Sequence, residues 1–542
     1  MPVPLKWRSS GSDRRRSQGP RFCNMVVTQD GAPLPAGVTG GDQSLRRTAL
    51  GGARWVFVGR MVGRVLSVVR IVFIARLLGP HEMGLFGVAM LTLATLDVFS
   101  QTGLRQALIQ RQGDVTPYFR TVWSVQVVRG FILAGVLFFL SEPIAQLLGS
   151  PESAELIKAL AVAPIIGGLA NSRVVEIEKN LQFGRVVALN TSETSVDLAV
   201  SLVAVAIYPS AWALAWGRLA GVATTSLLSY LVAKPAYLSG KLQWQRFREL
   251  HSFGFWIFVS AIAAFVLVRG GEFLIARLLD PATLAQYQLA LNLSNLPTME
   301  LAGIITAVAY PLFCRIRGQR DRLRSAFLDS LTAIAAVVCF CLCVIASTSE
   351  DLVNVLLGPQ WAHAATLMPY LAIWGATRAL GAASNSILQA VGQPKAATMN
   401  LLLMVAVFLP ACFPAIYLGG ALGLAWLLLL LGTAMQVIRY RSIERILGLR
   451  TRTLLHRLAV PALVSAVSTG ISILLKWSME DVPAPARLAA VGATAIVLYT
   501  GGLKCAGWLF GDKTLTTVIS LLKRKNNATS QADLTNAASS PA

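Results

Sequence analysis

The chain has 542 residues, of which 55% are hydrophobic and only 14% charged, with a net charge of +22 and a mean hydropathy of +0.60. Soluble surfaces need charge, and soluble chains carry about 25% of it, so this composition excludes a string of soluble domains. A helical membrane bundle of this length can be a single unit.

Residues 1–46 are rich in Pro, Gly, Ser and Arg and lack the apolar run of a signal peptide. They read as a disordered cytoplasmic tail, with Met25 as an alternative start. Stretches of about 20 apolar residues, enough to cross a hydrocarbon core of about 30 Å, then follow near 54–78, 83–109, 119–140, 155–172, 186–207, 211–233, 254–278, 284–311, 325–347, 364–390, 397–416, 419–438, 456–475 and 488–503. The fold expected is therefore all-α, a polytopic membrane protein of about fourteen transmembrane helices. The region 511–542 closes the chain as a second cytoplasmic tail, polar and of low complexity from Asn526 onward.

Lys and Arg resist translocation, so the loops test this map. Alternate loops carry Arg111 and Arg120, then Arg173, Lys179 and Arg185, then Lys234, Lys241, Arg246 and Arg248. The series continues through Arg315–Arg324, Lys395, Arg439–Arg452 and Lys513–Lys525. The intervening loops hold no Lys or Arg but contain Glu142, Glu152, Asp280, Glu350 and Asp351; only Lys476–Arg487 breaks the pattern. Both termini are thereby assigned to the cytoplasm. The net charge is explained by membrane anchors, with no nucleic-acid partner required.

The chain also repeats itself. Trp55-Val-Phe-Val58 matches Trp256-Ile-Phe-Val259, and Ile74-Ala-Arg-Leu-Leu78 with Pro80 matches Ile275-Ala-Arg-Leu-Leu279 with Pro281, at one offset. The repeated unit spans an even number of helices, so the two copies share one orientation and form a parallel repeat. The organisation expected is an N-terminal six-helix lobe (47–240), a C-terminal six-helix lobe (241–440) and two additional helices (441–510). Two such lobes around a cleft favour a transporter working by alternating access. Cys339, Cys341 and Cys343 fan around one helix as apolar packers, and the four histidines make no ligand pair. Neither a metal site nor a cofactor is expected.

The stretches Phe73-Ile-Ala-Arg-Leu-Leu-Gly-Pro80 and Gly84-Leu-Phe86 resemble the opening of the polysaccharide-transport family, the Wzx-type oligosaccharide flippases and exopolysaccharide exporters of the multidrug/oligosaccharidyl-lipid/polysaccharide superfamily. Leu357-Gly-Pro-Gln-Trp361, Pro369-Tyr-Leu-Ala372 and Leu388-Gln-Ala-Val-Gly-Gln-Pro394 resemble its carboxy-terminal half. The resemblance covers roughly residues 47–440. It implies movement of a polyprenyl-diphosphate-linked glycan across the bacterial inner membrane for lipopolysaccharide or exopolysaccharide synthesis, driven by an ion gradient. Glycosyltransferases and a polymerase are the implied partners. Lipid II flippases of the superfamily also have fourteen helices, and their last two line a lipid groove.

Charges inside the membrane are costly and become functional candidates. The basic set is Arg60, Arg64, Arg70, Arg129, Arg218, Arg269 and Arg378; the acidic set is Asp97, Glu193, Asp197, Glu272 and Glu300. Arg60, Arg64, Arg129, Arg269 and Arg378 are the candidates for gripping a diphosphate, because guanidinium forks stay charged and bind phosphate oxygens in pairs. Arg64 and Arg269 are expected to approach the cleft from opposite lobes. Asp97 and Glu300 are candidates for the coupling ion. The competing reading makes each of these a helix-to-helix salt bridge, as the i,i+3 spacing of Arg269 and Glu272 allows. Rival functions are a multidrug antiporter, which would want an acidic cavity, and a membrane glycan polymerase or glycosyltransferase, which would want a larger outer loop.

Overall fold

A computed structural model describes residues 58, 59, 61–100, 108, 115–180, 182–233, 235, 244–449 and 451–510. Both expected tails, the segment Trp55–Phe57 of the repeat and Arg60 lie outside the described residues. Among the described residues the secondary structure is helical, with no strand. The first half holds α1 (61–77), α2 (Pro80–Phe99), α3 (Phe119–Phe139), α4 (Ala154–Leu160), α5 (Val162–Gly168), α6 (Phe183–Ile207) and α7 (Ala211–Val232). The second half holds α8 (Trp244–Leu278), α9 (Pro281–Arg315), α10 (Arg320–Leu356), α11 (Ala362–Ala390) and α12 (Pro394–Leu447). Two further helices follow, α13 (Thr451–Trp477) and α14 (Ala484–Phe510).

Seven of the described helices are long and apolar enough to cross a membrane by length and composition, which makes this a multi-pass membrane protein. The segment Thr398–Leu447 has 50 residues. At 1.5 Å per residue it is about 75 Å long against a core of about 30 Å, long enough to cross twice. The reversal falls at Gly420, whose φ of 57° and ψ of −143° suit only a residue without Cβ. The span expected at 155–172 is two short helices broken at Ala161. Pro164 accounts for the break, since its ring clashes with the carbonyl four residues earlier, at Leu160.

The repeated segments take the same structure. Each ends a helix, α1 or α8, and starts the next with proline at the first helical position. Ile74, Ala75, Ile275 and Ala276 are all buried. The bundle end carrying the α1–α2, α8–α9 and α10–α11 turns is called the upper end below.

In lipid, helices associate through close approach and hydrogen bonds rather than hydrophobic drive. Gly84 lets α2 lie against the Pro281 carbonyl at the start of α9; any Cβ there would overlap it. Gly217 and Gly221 likewise seat α7 on the α6 backbone at Asp197 and Glu193. The largest core unites α8, α9, α11 and α12 through Tyr287, Trp361, Met368, Trp374, Phe408 and Leu424, and includes Ala75, Val88 and Leu148 of the first half.

Helices α13 and α14 dock on α10, where Tyr499 Oη donates to the Ala336 carbonyl at 2.7 Å and Ser465 Oγ to that of Cys339 at 2.9 Å. At the upper end Arg487 pairs with the buried Asp351 at 2.6 Å, and Lys476 pairs with Glu350. The one loop that breaks the charge alternation is therefore bracketed by cations that already have carboxylate partners.

Candidate functional site

The intramembrane charges sort themselves into pairs. On α2 and α3, Arg129 pairs with Asp97 and also donates through Nε to Ser100 Oγ at 2.9 Å. Between α1 and α6, Arg70 Nη2 lies 3.0 Å from Asp197 Oδ1, and Ser201 Oγ donates to the same oxygen at 3.1 Å. Between α6 and α7, Arg218 Nη1 donates to Glu193 Oε1 at 2.7 Å, and Thr225 Oγ1 to Glu193 Oε2 at 3.0 Å. On α8, Arg269 Nη1 reaches both oxygens of Glu272 at 2.9 Å, and Gln288 Nε2 of α9 donates to Oε2 at 2.6 Å. The fifth pair crosses between the halves: Arg64 Nη2 of α1 stands 2.5 Å from Glu300 Oε1 of α9.

Every carboxylate of the expected acidic set thus has one arginine, and Arg378 is left over. Its guanidinium lies 5.9 Å over the Trp374 ring. Among the described residues it has no carboxylate partner. It is half-buried on α11, sixteen residues below Ala362, or about 24 Å along the helix. Tyr287 of α9 is fully buried in the largest core. Like Arg378, Arg439 of α12 has no carboxylate among the described residues; it is buried and donates to Gln436 Oε1 at 2.9 Å. A half-buried guanidinium without a carboxylate makes Arg378 a candidate for an anion, because its fork can donate to two phosphate oxygens at once.

The expected site residues are placed as follows. Arg60 lies outside the described residues. Arg64, with a side chain 52% exposed, shares its charge with Glu300 while keeping most of its surface open. Arg269 is 39% exposed over a Glu272 with no exposure, so its remaining donors face outward from the pair. Arg129 and Asp97 face each other, and Glu300 faces Arg64. Gln288 completes the Arg269–Glu272 pair but carries no net charge, and its only sequence signal is polarity within an apolar span.

At the upper end the two halves are joined through backbone groups. Arg76 Nε donates to the Leu356 carbonyl at 2.7 Å, and Arg76 also reaches that of Val355, so α1 supplies the C-terminal cap of α10. In return, Gln360 Nε2 and Trp361 Nε1 each donate to the Ala75 carbonyl at 2.8 Å. The two sequence stretches 73–80 and 357–361 are thus one structure. Arg277, the repeat mate of Arg76, makes a single longer contact of 3.4 Å with the Gln146 carbonyl.

Comparison with known proteins gives a consistent result. A family model described as "Polysaccharide biosynthesis protein" matches residues 73–366. The lipopolysaccharide biosynthesis protein WzxC of Escherichia coli is 25% identical over 442 residues, covering 80% of this chain and 90% of its own. The teichuronic acid biosynthesis protein TuaB of Bacillus subtilis is 23% identical over 466 residues, covering 84% and 95%. Among solved structures, the lipid II flippase MurJ in an inward closed conformation superposes with a TM-score of 0.70 at 12% identity, over 84% of this chain and 100% of that one.

Proposed function

The chain belongs to the polysaccharide biosynthesis protein family, and from that premise we propose that it moves a lipid-linked oligosaccharide, or a related polysaccharide intermediate, across the bacterial inner membrane. The residues 47–240 and 241–440 act as two lobes that rock about a central cleft, with 441–510 as an addition, in a bundle of fourteen membrane-crossing helices. The carrying observation is Arg378: among the described residues it is the one arginine of the expected set without a carboxylate, and its guanidinium lies over Trp374 within the membrane-spanning α11. The cargo's diphosphate supplies the missing anion. Arg64 and Arg269 contribute their open donors, while Arg129 holds α3 to α2 through Asp97. The same unpaired cation argues against a cationic drug as cargo. Nothing in the reading requires an enzyme.

The upper end faces outward. The arginines Arg315, Arg317 and Arg322 are exposed at the opposite end, whereas upper-end cations such as Lys158, Lys476 and Arg487 sit on carboxylates. Arg76, Gln360 and Trp361 then close the outer side, and alternating access consists of parting them. Glu300 releases or keeps Arg64 as the coupling ion arrives, with Asp97 as the corresponding carboxylate of the first half.

Arg378→Gln keeps hydrogen-bonding capacity but loses charge and fork, and is expected to abolish surface polysaccharide at unchanged protein abundance. Arg378→Lys retains partial export. Full export by Arg378→Gln overturns the reading. In a cysteine-free background, cysteines replacing Glu152 and His363 should react with an impermeant thiol reagent from outside, and one replacing Gly318 only after permeabilisation. The reverse pattern would invert the orientation.

A further inference from the structure

At the upper end the contact between the halves reaches one of the intramembrane ion pairs. Gly84, Gly87 and Val88 share one strip of α2, and that strip faces α9. Gly84 sits against the Pro281 carbonyl, Val88 belongs to the same core as Leu284 and Tyr287, and Gly87 sits against the Gln288 side chain. A Cβ on Gly87 would stand 2.6 Å from Gln288 Oε1. The other end of the same amide, Nε2, donates to Glu272 Oε2 at 2.6 Å, and Glu272 in turn holds Arg269. Resting on the function proposed above and deepening it, we infer that Gln288 is a positioning residue that ties closure of the outer side to the anion affinity of Arg269.

The two ends of an amide have opposite character, one accepting and one donating. Here the oxygen end is backed by the first half of the chain, and the N–H end serves an ion pair of the second. Gly87 makes this possible: having no side chain, it lets α2 approach until Gln288 has no room on that side. The amide is thereby held toward Glu272. Opening of the outer side withdraws α2 from α9, and the backing goes with it. Gln288 then regains rotamer freedom, water competes for its amide, and Glu272 loses a partner.

That loss is felt at Arg269. Glu272 has no exposure, so solvent does not compensate its charge. The charge is divided between the Gln288 amide and the Arg269 guanidinium. While the amide is in place, the half-exposed Arg269 keeps part of its own charge for an anion from outside the pair. Once the amide leaves, the whole attraction of Glu272 falls on Arg269, and an anion there is held more weakly. A closed outer side therefore favours capture and an open one favours release, which is the order that export demands. The relation is reciprocal by linkage: an anion at Arg269 also favours the closed outer side.

The test uses the full chain in lipid nanodiscs, in a cysteine-free background with spin labels on cysteines replacing His81 and His363. These are exposed upper-end residues of the two halves, so the distance between them separates closed from open outer ends. The probe is a short-chain polyprenyl diphosphate. With Gln288 present, saturating probe should raise the closed-to-open ratio about tenfold. Gln288→Leu should bind the probe about tenfold more weakly, and saturating probe should then move the ratio by less than about twofold. Gly87→Ala should act in the same way from the other half, although Arg269, Glu272 and Gln288 are all intact. Gly87→Ala combined with Gln288→Ala removes the overlap and should restore the probe-free ratio, while the response to probe stays lost. A packing role alone predicts that the response returns with the packing. Closed and open distances at their wild-type values report that the variants are folded; where Gln288→Leu does not fold, the double variant decides alone. A wild-type response in Gln288→Leu or in the double variant overturns the inference and leaves the diphosphate reading standing. So does a wild-type ratio that bound probe does not move. Failure of the wild-type protein to bind the probe removes the diphosphate reading and this inference together.

Discussion

The two halves of the chain carry matched segments, Ile74–Leu78 and Ile275–Leu279, yet they balance their buried charges differently. The first half carries Arg64, Arg70, Arg129 and Arg218 against Asp97, Glu193 and Asp197, and three of the four arginines are satisfied within it. The fourth, Arg64, reaches across to Glu300. The second half carries Arg269 and Arg378 against Glu272 and Glu300, a set that could neutralise itself. It does not, because Glu300 is taken by Arg64, and Arg378 is left over. Within the expected set, Arg378 is thus left without a carboxylate by a contact between the halves, that of Arg64 with Glu300. An anion site of the kind proposed would answer to the relative position of the halves, as alternating access requires.

The sharpest way to break the comparison is to remove one partner of a closed pair. Arg269→Gln leaves Glu272, wholly buried, with Gln288 as its remaining partner. Stripping a buried pair of one member costs about 3–5 kcal/mol, so the purified variant should unfold at markedly lower denaturant or temperature and accumulate poorly. Adding Glu272→Gln neutralises the pair as a unit and should restore most of the loss. A single variant as stable as wild type would mean that Glu272 is not held as an ion.

Arg378→Gln is the counterpart and should behave in the opposite sense. No carboxylate is orphaned, so stability should change by less than about 1 kcal/mol, even as export fails. Arg64→Gln sits between the two. It leaves Glu300, which is 20% exposed and so less buried than Glu272, and should cost less than Arg269→Gln. If Arg378→Gln destabilises as strongly as Arg269→Gln, then Arg378 is a structural residue and the charge count above has been misread.

These contrasts also mark what the sequence could and could not disclose. Loop charge alternation and apolar spans anticipate the membrane-crossing helices, because both depend on local composition. The Arg269–Glu272 pair was visible as an i,i+3 spacing, and the break at Ala161 was written in Pro164. Partners far apart in the chain were not visible: Arg64 with Glu300, Asp351 with Arg487, and Ala75 with Trp361 are joined only by packing. The charge of Arg378 was legible from the start, whereas its lack of a partner is a property of the whole arrangement.

The smallest expected effect concerns the upper end, where the repeat predicts equivalence and the structure departs from it. Arg76 and Arg277 occupy matched positions, and each reaches a helix end in the other half. Arg76 bonds two carbonyls of the last turn of α10, and Gln360 and Trp361 return two bonds to Ala75. Arg277 has one contact at 3.4 Å, which is long for a hydrogen bond. Hydrogen bonds to a charged group contribute about 1.5–3 kcal/mol each, and loosely placed ones far less. With a cysteine at Thr306 in a cysteine-free background, an impermeant reagent applied from outside reports how often the bundle opens outward. Arg76→Gln should raise that labelling rate about tenfold, since a loss of about 1.4 kcal/mol in the closed state shifts the equilibrium by that factor. Arg277→Gln should change it by less than about twofold. Equal rates for the two variants would show that the halves seal symmetrically. The closed outer end would then owe its stability to Gly84, which brings α2 onto α9, and not to the arginine that caps α10.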